Sequence, residues 1–167
     1  MRLNAEVLRD APSYINPLKE RELDLRAHNI PSIENLGVTK DQNDAIDFTE
    51  NDIRILGNIP SFPRLRSLFM ARNRIESISG EIGSAVPNLE TLILTSNRLE
   101  KLEDLTPLAS LRRLVHLSLL ENPVAQMEYY REWVIWRCPS VRILDFQRVR
   151  QAERRRAMEL FRDKSSD

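Results

Sequence analysis

Few side chains in this 167-residue chain could do acid–base or nucleophilic chemistry, and none are spaced to share a reaction. The two histidines, His28 and His116, lie far apart, and neither belongs to a cluster with metal-ligand spacing. Proton transfer needs groups converging on one reacting atom, and a metal needs three or four clustered donors. Cys138 is the single cysteine, so no disulfide or cysteine-based metal site forms within the chain, and a reducing compartment is expected. There is no Gly-rich phosphate loop and no nucleophile elbow. No reaction, cofactor or metal is therefore expected. The chemistry that remains is recognition. Seven arginines stand between Arg137 and Arg156 against only Asp145 and Glu153, a local charge of +5. Residues 1–60 carry 7 basic and 11 acidic side chains, a charge of −4, although the whole chain is neutral. An acidic start and a basic end suggest partners sorted by charge along the molecule.

The elements that position these groups are set by one spacing. Leu89, Leu92, Leu94, Asn97 and Leu99 fit L-x-x-L-x-L-x-x-N-x-L. Leu92 and Leu94 are two apart, so a short strand points both to one face. Asn97 falls where the chain turns, and its amide can both donate and accept for backbone groups the bend leaves unpaired. The same template fits Leu65, Leu68, Met70, Asn73 and Ile75, and again Leu114, Leu117, Leu119, Asn122 and Val124. Ile46, Phe48, Asn51 and Ile53 precede them. Leu23, Leu25 and Ile30 form a degenerate first copy, with His28 in the asparagine place. Val141, Leu144 and Phe146 form a last copy, with Val149 in that place. The first strand residue recurs at 23, 46, 68, 92, 117 and 144, in steps of 23, 22, 24, 25 and 27. That period defines an α/β leucine-rich-repeat solenoid, with a curved parallel sheet on the concave side and helical or 3₁₀ returns on the convex side.

Both ends of such a stack need covers. Residues 1–18 are expected to form the N-terminal cap, with Asn4 capping a short helix that contains Leu3, Val7 and Leu8 and stops before Pro12. Six repeats follow over 19–148, and residues 149–164 are expected to form a C-terminal cap helix, with Met158 and Phe161 inward and Arg154, Arg155 and Arg156 outward. Ser165 to Asp167 reads as a ragged polar end. Ile82 and Val86 suggest a helical turn, and the three-residue spacing of Leu105, Leu108, Leu111 and Leu114 suits a 3₁₀ return. Residues 126–137 read as a helix with Met127, Tyr130 and Val134 on one face, and residues 140–148 as the last strand. The opening stretch has no apolar segment typical of a secretory signal, and no apolar run approaches 18 residues.

Between the leucines, alternate strand residues face away from the core. One column of them is Asp24, Asp47, Phe69, Ile93, Ser118 and Asp145; the next is Arg26, Thr49, Ala71, Thr95, Leu120 and Gln147. An outer column is Ala27, Glu50, Arg72, Ser96, Glu121 and Arg148. Phe69, Ile93 and Leu120 are apolar where exposure is expected, and strands about 4.8 Å apart would join them in one patch. Arg26, Asp47, Arg72, Thr95 and Ser118 surround it as an interface rim does. His116 also falls on this face. A concave groove of this kind suits a convex partner such as a helix.

Several stretches go beyond the general repeat. RELDLRAHNIPSIENLG (21–37), DQNDAIDFTENDIRIL (41–56), LTSNRLEKLEDLTPLASL (94–111), LENPV (120–124) and CPSVRILDFQRVRQAER (138–154) resemble the A-prime proteins of the U2 small nuclear ribonucleoprotein. The resemblance runs from Leu3 to Phe161, and VRILDFQRVRQAER is its most specific part. It implies a nuclear, non-enzymatic spliceosomal subunit. Its concave face would bind an RNA-recognition-motif partner, the B-double-prime protein, and the pair would hold a stem-loop of U2 small nuclear RNA. The chain itself has no aromatic-rich RNA-recognition strand, so phosphate contacts are expected from it and not base reading. Arg148, at the concave edge, and Arg150, at the start of the cap helix, are the candidates for those contacts. The alternative is a protein–protein adaptor of the same fold, such as a phosphatase-regulatory repeat protein, with no RNA role.

Overall fold

A computed structural model describes residues 2–162. Helix α1 (Ala5–Asp10) comes first, followed by strands β1 (Ser13–Ile15), β2 (Arg21–Asp24), β3 (Ala45–Asp47), β4 (Ile55–Leu56), β5 (Ser67–Phe69) and β6 (Ser77–Ile78). A single helical turn, α2 (Ile82–Ala85), precedes β7 (Thr91–Ile93) and β8 (His116–Ser118). Helix α3 (Tyr130–Arg137), strands β9 (Ile143–Leu144) and β10 (Gln147–Arg148) and helix α4 (Gln151–Phe161) complete the described chain. Asn4 caps α1 as expected, its Oδ1 accepting the Val7 N–H at 2.9 Å. The last positions of the expected cap helix and the Ser165–Asp167 end lie outside the described residues.

The main sheet has the order β1-β2-β3-β5-β7-β8-β9-β10, parallel from β2 to β9 and closed by an antiparallel strand at each edge. Its register aligns Leu23, Ile46, Leu68, Leu92, Leu117 and Leu144 in one row, the repeat positions read from the spacing. All six are buried, as are Leu25, Phe48, Met70, Leu94 and Leu119 two residues further along each repeat. Because a strand alternates its faces, fixing these residues inward fixes the residues between them outward.

The asparagines tie the repeats together. Asn97 Nδ2 donates to the Leu94 carbonyl of its own turn at 3.0 Å and to the Met70 carbonyl of the preceding repeat at 2.9 Å. Its Oδ1 accepts the Ile75 N–H at 2.9 Å. Asn51, Asn73 and Asn122 make the equivalent bonds, and all four side chains are buried. The spacing predicted a bond within each turn; the structure adds a bond across to the neighbouring turn. His28 stands in the first asparagine place, but only its backbone N–H is used, donating to Asn51 Oδ1 at 3.0 Å. Glu50, Arg72, Ser96 and Glu121, each just before a ladder asparagine, have φ between 56° and 63°. The turn forces this left-handed backbone on non-glycine residues, and the asparagine bonds hold it in place.

The returns differ from one repeat to the next. Those after β3 and β5 include β4 and β6, which pair in parallel as a second, two-stranded sheet. The expected helical turn is present as α2, and the leucine spacing after β7 forms a 3₁₀ segment over Leu102–Ser110 with Leu105 and Leu108 buried. Met127 and Met158 are exposed, contrary to expectation. A 3₁₀ turn over Pro123–Gln126 ends before Met127, which therefore never joins the buried Tyr130/Val134 face of α3. In α4 the inward pair is Ala157 and Phe161, four residues apart, and Met158 lies beside that stripe.

Residues 140–148 do not form one strand. Asp145 and Phe146 have φ of 54° and 62°, and two consecutive left-handed residues fold β10 back on β9, with Gln147 opposite Leu144 and Arg148 opposite Ile143. Phe146 is consequently 58% exposed and not a core residue. Arg154 also departs from the outward triplet: its guanidinium donates to the Pro139 and Val141 carbonyls at 3.1 and 2.7 Å, pinning α4 to the preceding loop.

Asn97→Ala is expected to destabilise the protein by roughly 1–3 kcal/mol through unpaired backbone groups. Leu94→Ala is expected to cost about 2–5 kcal/mol by opening a cavity. Urea denaturation measures both, and an Asn97→Ala variant as stable as the parent would show that the cross-repeat bonds do not hold the stack.

Candidate partner and nucleic-acid interface

The outward face carries the residues expected to meet a partner. Asp24, Asp47, Phe69, Ile93 and Ser118 stand opposite one another across five consecutive strands. Phe69 and Ile93 are thus side by side and half-buried, and Leu120, on the turn beyond Ser118, is 37% exposed. Backbone bonds bring the next column together, Arg72 N–H to the Thr95 carbonyl and Ser96 N–H to the Leu120 carbonyl, each at 2.9 Å. Ser118 is fully buried, its Oγ 2.7 Å from Thr95 Oγ1, so it orients Thr95 instead of presenting itself. Arg72 pairs with Glu50 at 3.3 Å in full view of solvent, where such a pair fixes little.

The N-terminal end of this face is acidic. Arg26 donates to Asp24 at 3.0 Å and reaches Asp47 at 3.9 Å. The Arg26 hydrogen bond holds the Asp24 carboxyl below its ordinary range. Asp47 goes the other way: burial raises its pKa and outweighs the Thr49 hydrogen bonds and the Arg26 charge. A cation brought to Asp47 would therefore be favoured.

Two features of this face escaped the sequence. The turn between β1 and β2 folds over it. Asn16 Oδ1 accepts the Leu18 and Glu20 N–H groups at 2.9 and 3.0 Å, and the Glu20 carboxylate accepts the Ser67 hydroxyl at 3.2 Å. Tyr14 donates its hydroxyl to Glu22 from the same hairpin, a bond that pushes its pKa up to about 12. This arrangement leaves Ile15 67% and Leu18 75% exposed at the rim. The Asn16-Pro17 dipeptide was the available turn signal. The second feature is a further outward row, Glu22, Ala45, Ser67, Thr91, His116 and Ile143, each one residue before an inward leucine or isoleucine. His116 meets the Phe146 ring edge-on at 5.2 Å, and its Nε2 is buried without a partner among the described residues.

At the C-terminal edge, Arg148 on β10 and Arg150 before α4 are exposed, and with Val149, Gln151 and Arg154 they line a shallow pocket of about 340 Å³. Glu153 makes no ion pair with the Arg148 or Arg150 side chain; the Arg131 hydrogen bond, with a smaller share from the Arg150 charge, holds its carboxyl below the usual range. Its carboxylate accepts Arg131 Nε at 2.5 Å and the Arg150 backbone N–H at 2.9 Å, which fixes the start of α4. Arg156 pairs with Glu132 at 3.3 Å, so Glu153 and Glu159 are not the partners of the triplet. Arg148 and Arg150 have no ion pair among the described residues, and their charge is open to an anion. The site thus combines an apolar centre, an acidic end and an unneutralised basic edge. Among the described residues no cluster of His, Cys, Asp or Glu is arranged to hold a metal.

Repeat period, parallel ladder and asparagine turns define a leucine-rich-repeat protein, and a leucine-rich-repeat family model matches residues 1–167. The chain belongs, within that class, to the U2 small nuclear ribonucleoprotein A′ family. It is 62% identical over 96% of its length to the A′ protein of Aspergillus fumigatus and 58% identical over 96% to that of Schizosaccharomyces pombe. It spans 63% and 67% of those two proteins. It also matches a chain in the crystal structure of the Drosophila melanogaster SNF/U2A′ complex, with a TM-score of 0.94 and 47% identity, covering 99% of this chain and 95% of that one.

Burial lowers the pKa of His116, so the fold favours its neutral form. The unfolded chain then binds the extra proton more readily, and stability present above the unfolded value of about 6.5 is lost as pH falls through it. Thermal melting between pH 7.5 and 5.5 is expected to show this loss, and His116→Gln is expected to flatten it. An unchanged slope in the variant would place the titrating group elsewhere.

Proposed function

We propose that the chain is a non-enzymatic subunit of the U2 small nuclear ribonucleoprotein, acting in pre-mRNA splicing in the nucleus. Its concave face grips a helix of an RNA-recognition-motif partner, the B-double-prime protein, and the pair holds a stem-loop of U2 small nuclear RNA. One observation carries this proposal: Phe69 and Ile93 lie side by side on the outward face with Leu120 close by, where a solenoid without a partner has no use for apolar residues. Arg26, Asp47, Arg72 and Thr95 flank that centre and set the partner's orientation, and Ser118 acts by holding Thr95. The close likeness to a chain crystallised as part of the SNF/U2A′ complex supports a protein partner for this fold.

The RNA contact is assigned to the basic edge. The acidic N-terminal end repels phosphate, whereas Arg148 and Arg150 are exposed and have no ion pair among the described residues. Contacts of this kind position a nucleic acid without reading its bases. Each phosphate neutralised releases counterions and adds roughly 0.7–0.9 to the slope of log affinity against log salt. Replacing Arg148 and Arg150 together by glutamine is expected to lower the magnitude of that slope by about 1.4–1.8 for the ternary complex, with little change in affinity for the protein partner alone. Fluorescence anisotropy of a labelled stem-loop across a salt series measures it. A double variant with the parent slope would place the RNA away from this edge and leave the basic cluster a solvated cap.

A further inference from the structure

A second recognition site lies on the return side of the solenoid, away from the concave groove. A pocket of about 540 Å³ opens among Ala109, Arg112, Trp136, Arg137, Pro139 and Ser140. Ala109 belongs to the 3₁₀ return after β7, Arg112 follows it, and the rest come from the end of α3 and the turn after it. Two guanidinium groups line this space, no carboxylate lines it, and neither arginine has an ion pair among the described residues. Such a pocket is positively charged and suits an anionic group.

Arg137 is held ready for one. Its guanidinium carbon lies 5.5 Å from the Trp136 ring centroid and 5.9 Å from that of Trp133. Stacking of this kind restrains the planar group before any ligand arrives, so less entropy is lost on binding. Its Nε–H is buried with no acceptor among the described residues. Only this atom of the guanidinium is closed off in that way, so a carboxylate meets the group at its Nη–H donors, where the charge strengthens the bond. Arg112 is exposed at the mouth and supplies the second positive charge.

The remaining walls distinguish peptide from nucleic acid. Ala109, Trp136 and Pro139 give an apolar surface beside the two charges. A base would need a free aromatic face, and Trp136 is already stacked on Phe161, 5.2 Å away at 24°, and engaged by Arg137. We infer that this pocket binds an acidic segment of a second protein, with a carboxylate on Arg137 and a neighbouring apolar side chain against Ala109 and Pro139. The occupant is distinct from the protein in the groove, because the pocket shares no residue with the concave columns.

Both tryptophans of the chain stand on α3 next to the pocket, so intrinsic fluorescence reports its occupancy. The probe is the peptide acetyl-Glu-Leu-Asp-Glu-Leu-Asp-amide, titrated against the parent, Arg137→Lys and Arg112→Glu. The lysine keeps the charge and removes the fork, and the Arg112 site is exposed, so its charge reversal does not threaten the fold. Saturable quenching by the parent, weakened about tenfold or more in both variants, is expected. The counterpart peptide with Gln and Asn in place of Glu and Asp is expected not to saturate. Three outcomes overturn the inference: no saturable change with the parent, equal affinity in parent and both variants, or saturation by a short oligouridylate in preference to the acidic peptide.

Discussion

The hydrogen bonds of the asparagine ladder are the constraint on which the structure depends. Each of Asn51, Asn73, Asn97 and Asn122 bonds the backbone of its own turn and of the turn before it. A repeat of this size cannot bury its leucines alone, so its stability is borrowed from its neighbours. The ladder sets how neighbours meet. It holds the turn in a left-handed backbone, keeps successive strands in one register and stacks the inward leucines into a continuous core. Parallel strands two to four residues long have little to hold them otherwise.

Once that register is fixed, the outward positions are free to vary. Asp47, Phe69, Ile93 and Ser118 occupy equivalent places on neighbouring strands, yet one is acidic, two are apolar and one is a buried hydroxyl. The core tolerates all four because none of them points into it. The ends of the stack obey a different rule. A parallel sheet leaves open edges, and each is closed by a hairpin, β1 on β2 and β10 on β9. Those closures also shape the groove. The first carries Leu18 to its rim, and the second presents Arg148 and sets Phe146 against His116.

The parts of the fold that repeat were legible in the sequence, because a period is recorded many times over. Leu92, Leu94 and Asn97 define positions that recur with the same burial and bonding in neighbouring turns. The ends were not legible, because each occurs once. The β9–β10 turn is made by Asp145 and Phe146, a pair without the glycine that usually marks left-handed backbone, so the residues looked like a continuing strand. Strands β4 and β6 are two residues long and too short to carry a period. Glu153 meets Arg131 from α3, a neighbour that helix packing supplies and spacing cannot reveal. The outward columns placed Phe69 and Ile93 side by side, whereas the burial of Ser118 goes with a contact to Thr95, two residues beyond β7, that spacing does not reveal.

Taken together, the lattice fixes the core and leaves the outward face to choose the partner, so binding and folding can be separated at a single residue. Phe69→Asp tests this most directly. Isothermal titration calorimetry of the variant against the partner's RNA-recognition domain is expected to show binding abolished, while its thermal melting stays close to that of the parent because the side chain is not in the core. Unchanged affinity would place the interface elsewhere, and loss of the fold would show that the outward face is not independent of the core.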